Sequence, residues 1–197
     1  MSLVVVTGGA RSGKSGAAER LAVLRGTPVV VAVAGSAGDE EMARRIATHR
    51  ADRPRAFTTL EIESDTAWIA DVPDRSCLVL ECLGSLVSRI VAEESMETGE
   101  VASSGAEERV QARTETLLDA LFARRGDTIV VTNEAGDGVV PAYPSGRLFR
   151  DTLGRANRLL VDRADGAWLV VAGRAVDLHR LPGDLAWPRG GNPELTV

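Results

Sequence analysis

The residues Gly8-Gly9-Ala10-Arg11-Ser12-Gly13-Lys14-Ser15 match G-x-x-x-x-G-K-[ST] in full, directly after the apolar run Leu3 to Thr7 and before a helical pattern. That spacing suits the capture of a phosphate chain. Glycines let the backbone curl its N–H groups around phosphate oxygens, and the helix that follows aims its positive end at the same anion. In such a loop Lys14 reaches the β- and γ-phosphates, and the Ser15 hydroxyl takes a place on Mg2+. Lys14 is also the single lysine among 23 basic residues. A compact ammonium fits where the fork of a guanidinium would crowd bound phosphates. A metal on Ser15 needs a second protein oxygen, normally from an acidic residue that ends a neighbouring apolar strand. Cys77-Leu78-Val79-Leu80-Glu81 supplies Glu81, with glutamate where aspartate is more usual; an ordinary charge at a strand end is the simpler alternative. Together these residues predict binding of a nucleoside triphosphate, with Ser15 and Glu81 as the Mg2+ ligands.

A second chemistry is open to His49. In Gly38-Asp39-Glu40-Glu41-Met42-Ala43-Arg44-Arg45-Ile46-Ala47-Thr48-His49, the Met42, Ile46 and His49 side chains fall on one helical face, spaced by four and three. A lone histidine on such a face is more often packed or capping than catalytic. Its neighbours change the balance. A neutral imidazole, the majority form at pH 7 for a pKa of about 6.5, is a competent nucleophile toward phosphorus. Arg50 and Arg53, just beyond it, can neutralise charge that builds on nucleotide phosphates. His179 lies in no comparable setting and reads as structural.

These groups need a frame. Five runs rich in Val, Leu and Ala, namely Leu3 to Thr7, Pro28 to Ala34, Cys77 to Glu81, Thr128 to Asn133 and Ala167 to Ala172, read as strands covered on both faces. Helical patterns alternate with them: Lys14 to Arg25, Glu40 to His49, Leu83 to Glu94, Glu107 to Arg125 and Arg147 to Arg163. Strand and helix in alternation predict βαβ units and an α/β fold, a mainly parallel sheet with helices on both faces; with the phosphate loop after its first strand, the expected fold is of the P-loop NTPase (RecA-like) kind. Val176 to Arg180 is expected to return antiparallel at an edge. Glu93 to Glu108 reads as a solvated connection between helices. We expect one domain over residues 1–181 and a loosely ordered Pro/Gly-rich tail over 182–197, in which Leu185 and Trp187 are the candidates to pack on the body.

Composition sets bounds. A length of 197 residues suits one domain, and a net charge of -5 argues against a generic nucleic-acid binder. No apolar run is long enough to span a bilayer, and the N-terminus has no basic region ahead of its apolar stretch. Cys77 and Cys82 are expected to point to opposite faces, so a disulfide between them is disfavoured. A reducing, cytoplasmic compartment follows. The Asn-Lys-x-Asp element by which regulatory GTPases read guanine cannot be built, because the lone lysine is already used, and Asp151-Thr152-Leu153-Gly154 lies in a helical pattern.

The segments GGARSGKS, DEEMARRIATHRADRP, LVLECLGSLV, VTNEAGDGVVP and GRLFRDTLGRANRLL followed by WLVVAG resemble, in order and spacing, the bifunctional adenosylcobinamide kinase and adenosylcobinamide-phosphate guanylyltransferase family of cobalamin biosynthesis. The resemblance runs from about Leu3 to Leu178. It implies two steps: phosphorylation of the adenosylcobinamide hydroxyl by ATP or GTP, then transfer of GMP from GTP to that phosphate through a guanylylated histidine, with release of pyrophosphate. Carried over by residue, the covalent nucleophile is His49, and Gly8 to Ser15 form the phosphate loop. Arg50, Ala51, Asp52 and Arg53 belong to the guanine nucleotide site. Glu61 matches a glutamate that contacts nucleotide, and Glu81 the family's strand-end glutamate. Asn133 and Glu134 match a second strand-end cluster at the mouth of the sheet, where α/β ligands bind. The resemblance also implies a homo-oligomer, a trimer. Two departures stand out. Val33-Ala34-Gly35 replaces the family's Ala-Thr after strand two, losing a hydroxyl, and Arg158 stands where the family has glutamine. A single triphosphate cradle serving both steps, with the His49 helix moving toward the α-phosphate, is the expected mechanism. The alternatives are another small-metabolite P-loop kinase with no transferase step, and a non-catalytic nucleotide-binding module.

Overall fold

The computed structural model describes residues 1–34, 54–98 and 105–184. Their strands form one seven-stranded sheet in the order β3-β2-β4-β5-β1-β6-β7. The members are β1 (Leu3–Thr7), β2 (Val29–Ala34), β3 (Phe57–Ile62), β4 (Cys77–Glu81), β5 (Thr128–Val131), β6 (Gly166–Val171) and β7 (Arg174–Asp177). All neighbours pair in parallel except β6 with β7. The helices are α1 (Lys14–Val23), α2 (Leu83–Thr98), α3 (Ala106–Ala123) and α4 (Pro144–Arg163), with short 3-10 turns at Ala67–Asp71 and Leu178–Arg180.

Valine-rich strands with both faces covered explain the near-continuous apolar runs. Alternate residues of β4 go to opposite cores. Leu78 and Leu80 pack with Leu83, Leu86 and Val87 of α2, Leu117, Leu118 and Leu121 of α3, and Leu153 and Leu160 of α4. Cys77 and Val79 pack on the other face with Val6, Val31, Ile129 and Val131, under Ala18 and Ala22 of α1. Those two alanines, four apart and fully buried, let α1 lie close over the sheet. Each fully buried leucine contributes about 1.5–3 kcal/mol.

Several boundaries differ from expectation. β3 was not among the expected strands: its Thr58 and Glu61 are exposed, as fits an edge strand, and no apolar run marks it. β7 begins at Arg174, ahead of Val176, and stops at Asp177, whose Oδ1 accepts from the His179 N–H at 3.0 Å and starts the 3-10 turn. β5 stops at Val131, two residues before Asn133. α4 starts three residues early, because Pro144 is tolerated in a first turn. The largest correction concerns Glu93 to Glu108. α2 continues to Thr98, and Glu94 is only 5% exposed. Arg109 and Arg113 of α3 donate to Glu94 at 2.8 and 3.1 Å, while Arg113 and Arg89 donate to Glu93 at 2.7 and 3.0 Å. Charges that look solvated in sequence are partners across the α2–α3 seam. Cys77, buried, and Cys82, half-buried, are both free thiols, and burial pushes the Cys77 thiol up to about 11. Among the described residues, no helix is long and apolar enough to cross a membrane. The expected Glu40 to His49 helix and the tail residues 185–197, with Leu185 and Trp187, lie outside the described residues.

Candidate functional site

The loop between β1 and α1 has the backbone that its glycines predict. Gly8 has φ 155° and would, with a Cβ, place it 2.4 Å from the Val170 carbonyl oxygen. Gly13, at φ 94°, caps α1 and abuts Gly173. Arg11 holds φ 56°, a left-handed conformation that costs a non-glycine residue energy and is kept by the surrounding bonds. Those bonds are several. Ser12 N–H donates to Gly9 O at 3.3 Å, Glu134 N–H to Gly8 O at 3.2 Å and Gly173 N–H to Ser12 O at 2.9 Å. The loop is therefore strapped both to the exit of β5 and to the β6–β7 turn. Lys14 Nζ folds back to donate to Gly9 O at 3.2 Å, which keeps the ammonium at the mouth of the loop.

Sheet order decides what meets this loop. β5 separates β1 from β4, and in register Val6 pairs with Val131, which follows the pairing of Val131 with Glu81. The C-terminal ends of all three strands thus lie along one edge. Ser15, in the first turn of α1, reaches across and donates its hydroxyl to Glu81 Oε1. Among the described residues, the buried Glu81 Oε2 meets no hydrogen-bond partner. A hydroxyl and a carboxylate with one buried, unengaged oxygen are hard donors of the kind Mg2+ takes, and Mg2+ usually keeps waters and substrate phosphates as its other ligands. The pair fits that ion. Among the described residues there is no group of three or more His, Cys, Asp or Glu that would hold a metal by protein ligands alone.

The exit of β5 is fixed from α4. Thr132 N–H donates to Val6 O at 3.0 Å, and the fully buried Thr132 hydroxyl donates to Asn157 Oδ1 at 2.6 Å. Asn157 Nδ2 donates to Asn133 O at 2.9 Å. Sequence alone gives Asn157 no role, because a side chain 25 residues from its partner leaves no local spacing signal. Gly173, the turn glycine that holds Ser12, was missed as well; its cue is a glycine directly after an apolar strand.

Gly8 to Ser15 and Glu81 are thus brought together. Glu61 is not with them: it is the penultimate residue of β3, across β2 from Glu81 by register, and β3 lies four strands from β1, about 20 Å at the usual spacing. His49, Arg50, Ala51, Asp52 and Arg53 lie outside the described residues. His179 shares its Nε2 with Val161 O at 2.9 Å, in keeping with a structural role.

Comparisons with known proteins agree with this geometry. A family model described as cobinamide kinase / cobinamide phosphate guanyltransferase matches residues 4–178. The chain is 36% identical over 183 residues to the bifunctional adenosylcobalamin biosynthesis protein CobU of Salmonella typhimurium, covering 89% of this chain and 99% of that one. It is 34% identical over 180 residues to CobU of Escherichia coli, with 89% and 99% covered. Against the bifunctional protein CobP of Pseudomonas aeruginosa it is 33% identical over 180 residues, with 90% and 98% covered. In fold it is similar to an ATPase from the type III secretion system of pathogenic bacteria, at TM-score 0.51 and 15% identity, covering 89% of this chain and 56% of that one.

Proposed function

This chain belongs to the cobinamide kinase / cobinamide phosphate guanyltransferase family, and from that premise we propose that it carries out both reactions on adenosylcobinamide. It phosphorylates the hydroxyl with ATP or GTP, then transfers GMP from GTP to the new phosphate, giving adenosyl-GDP-cobinamide and pyrophosphate. The observation that carries the kinase step is the Ser15–Glu81 hydrogen bond across β5, which joins the phosphate loop to an acidic strand end.

In the first step the loop amides and the N-terminal end of α1 hold the triphosphate, and Lys14 swings from Gly9 O to the β- and γ-phosphates. Ser15 and Glu81 are the residues that would hold Mg2+. When bound there, Mg2+ supplies charge neutralisation on the phosphate oxygens. Phosphoryl transfer asks mainly for positioning and electrostatics, so a rigid, strapped loop is the main catalytic investment.

In the second step His49 attacks the α-phosphate of GTP, and Arg50 to Arg53 and Glu61 serve the guanine nucleotide. Family resemblance supports these roles. The sheet supports them too, because the chain segment that bears His49 leaves β2 at Ala34 and re-enters at β3, which carries Glu61 next to its last residue, Ile62. One cradle serving both steps requires the His49 segment to come toward the loop. We further assign a homo-oligomer, a trimer, and a cytoplasmic location without nucleic-acid partners.

Incubation with α-labelled GTP and Mg2+ tests the covalent step. The wild-type protein gains one GMP, lost in acid, and His49→Ala gains none while still phosphorylating adenosylcobinamide. Label retained on denatured His49→Ala protein would overturn the assignment.

A further inference from the structure

Phosphorylating a hydroxyl releases a proton, and a group must take it. Glu81 is committed: it ends β4 with Oε1 engaged by Ser15 and Oε2 buried, the pair that would hold Mg2+. A carboxylate holding Mg2+ is a poor proton acceptor, since the cation stabilises its ionised form. Another carboxylate is needed within reach of the γ-phosphate on the solvent side.

The topology supplies one. Because β5 lies between β1 and β4, the residues that follow Val131 emerge between the phosphate loop and Glu81. Thr132 N–H continues the pairing to Val6 O, and Glu134 N–H bonds to Gly8 O, the first carbonyl of the loop. Glu134 is thus tied by its backbone to the first residue of the Gly8–Ser15 loop, while its side chain is exposed. Asn157 holds this exit in place by engaging Thr132 and Asn133 on either side of one peptide. Buried at 7% exposure, it gives the exposed carboxylate a fixed base.

We propose that Glu134 is the general base of the phosphorylation step, positioned by the Asn157–Thr132 clamp. This rests on the kinase reading above. As the acceptor oxygen forms its bond to the γ-phosphorus, its proton passes to the Glu134 carboxylate. The bond from the γ-phosphorus to the bridging oxygen breaks, and the nucleoside diphosphate leaves with that electron pair. Glu134 later releases the proton to water. The guanylylation of His49 involves no acceptor hydroxyl, so it does not call on Glu134.

Single-turnover phosphorylation of adenosylcobinamide with ATP and Mg2+ is compared for wild type, Glu134→Gln, Glu134→Asp and the nearby control Asp137→Asn. Protein-bound GMP from α-labelled GTP is measured in parallel. Glu134→Gln is expected to slow phosphorylation by about 10²–10⁴-fold, the usual worth of a general base. Glu134→Asp recovers part of that loss, and Asp137→Asn matches wild type. KM for ATP and the GMP label stay unchanged in all four proteins. The proposal is overturned if Glu134→Gln keeps wild-type phosphorylation, if its GMP labelling falls in step with phosphorylation, or if Asp137→Asn loses as much. Wild-type protein that fails to phosphorylate adenosylcobinamide would sink the kinase reading and this inference together, whereas an active wild type with an active Glu134→Gln sinks this inference only.

Discussion

Gly8 occupies a place that a side chain cannot share. It leaves β1 at φ 155°, with the Val170 carbonyl 2.4 Å and Ser12 Oγ 2.8 Å from where a Cβ would stand. Gly8→Ala therefore forces the backbone of the loop or of β6 to move. We expect a loss of about 1–3 kcal/mol in stability, as for other overpacked sites, together with loss of ATP binding. Urea denaturation and titration with a fluorescent ATP analogue check the two effects separately. The loop itself was legible in the sequence because its glycines, Lys14 and Ser15 are adjacent. Glu81 was legible as the last residue of an apolar run, though its bond to Ser15 spans 66 residues. Asn157 and Thr132 were illegible, since a buried hydroxyl–amide pair looks like any two polar residues until the chain brings them together.

At the scale of elements, the α2–α3 seam carries the main ionic network among the described residues. The Arg109 hydrogen bond, against the opposing effect of burial and with Arg113 in support, holds the Glu94 carboxyl below the usual carboxylate range. A depressed carboxyl contributes stability above its unfolded pKa of about 4.3 and loses it as pH falls through the lower folded value. Wild-type stability should accordingly drop on acidification below about pH 4, and Glu94→Gln should flatten that limb. At neutral pH the same substitution should cost about 1–2 kcal/mol, less than for a fully buried pair because Arg109 and Arg113 are partly exposed. Urea midpoints at pH 7 and pH 3.5 provide the check. Read as sequence, the run from Glu93 resembles a solvated loop because single residues do not reveal their partners. For the same reason β3 escaped notice: as an edge strand it carries Thr58 and Glu61 on exposed positions and lacks the continuous apolar signal of β2 and β4.

For the whole molecule, the proposed nucleotide cradle is assembled from β1, β4, β5, the start of α1, and the β6–β7 turn through Gly173. A ligand that binds all of them stabilises the entire fold by mass action. MgATP at about 100 times its dissociation constant should add about 2.7 kcal/mol, read as a rise in Tm that EDTA reduces. The alternation of valine-rich runs with helical patterns determined that the sheet would be mainly parallel and covered on both faces, and the unbroken GGARSGKS run marked the loop to which we assign the triphosphate, because one signal is periodic and the other contiguous in the chain. Strand order was not contained in any local signal. Placing β5 between β1 and β4 requires choosing among packings that bury the same residues, and that choice sets Glu134 against Gly8 and Glu81 beside Ser15 while leaving Glu61 four strands from β1. The chemistry available at the site follows from that choice, since proton and phosphoryl transfer act over hydrogen-bond distances that only the folded chain creates.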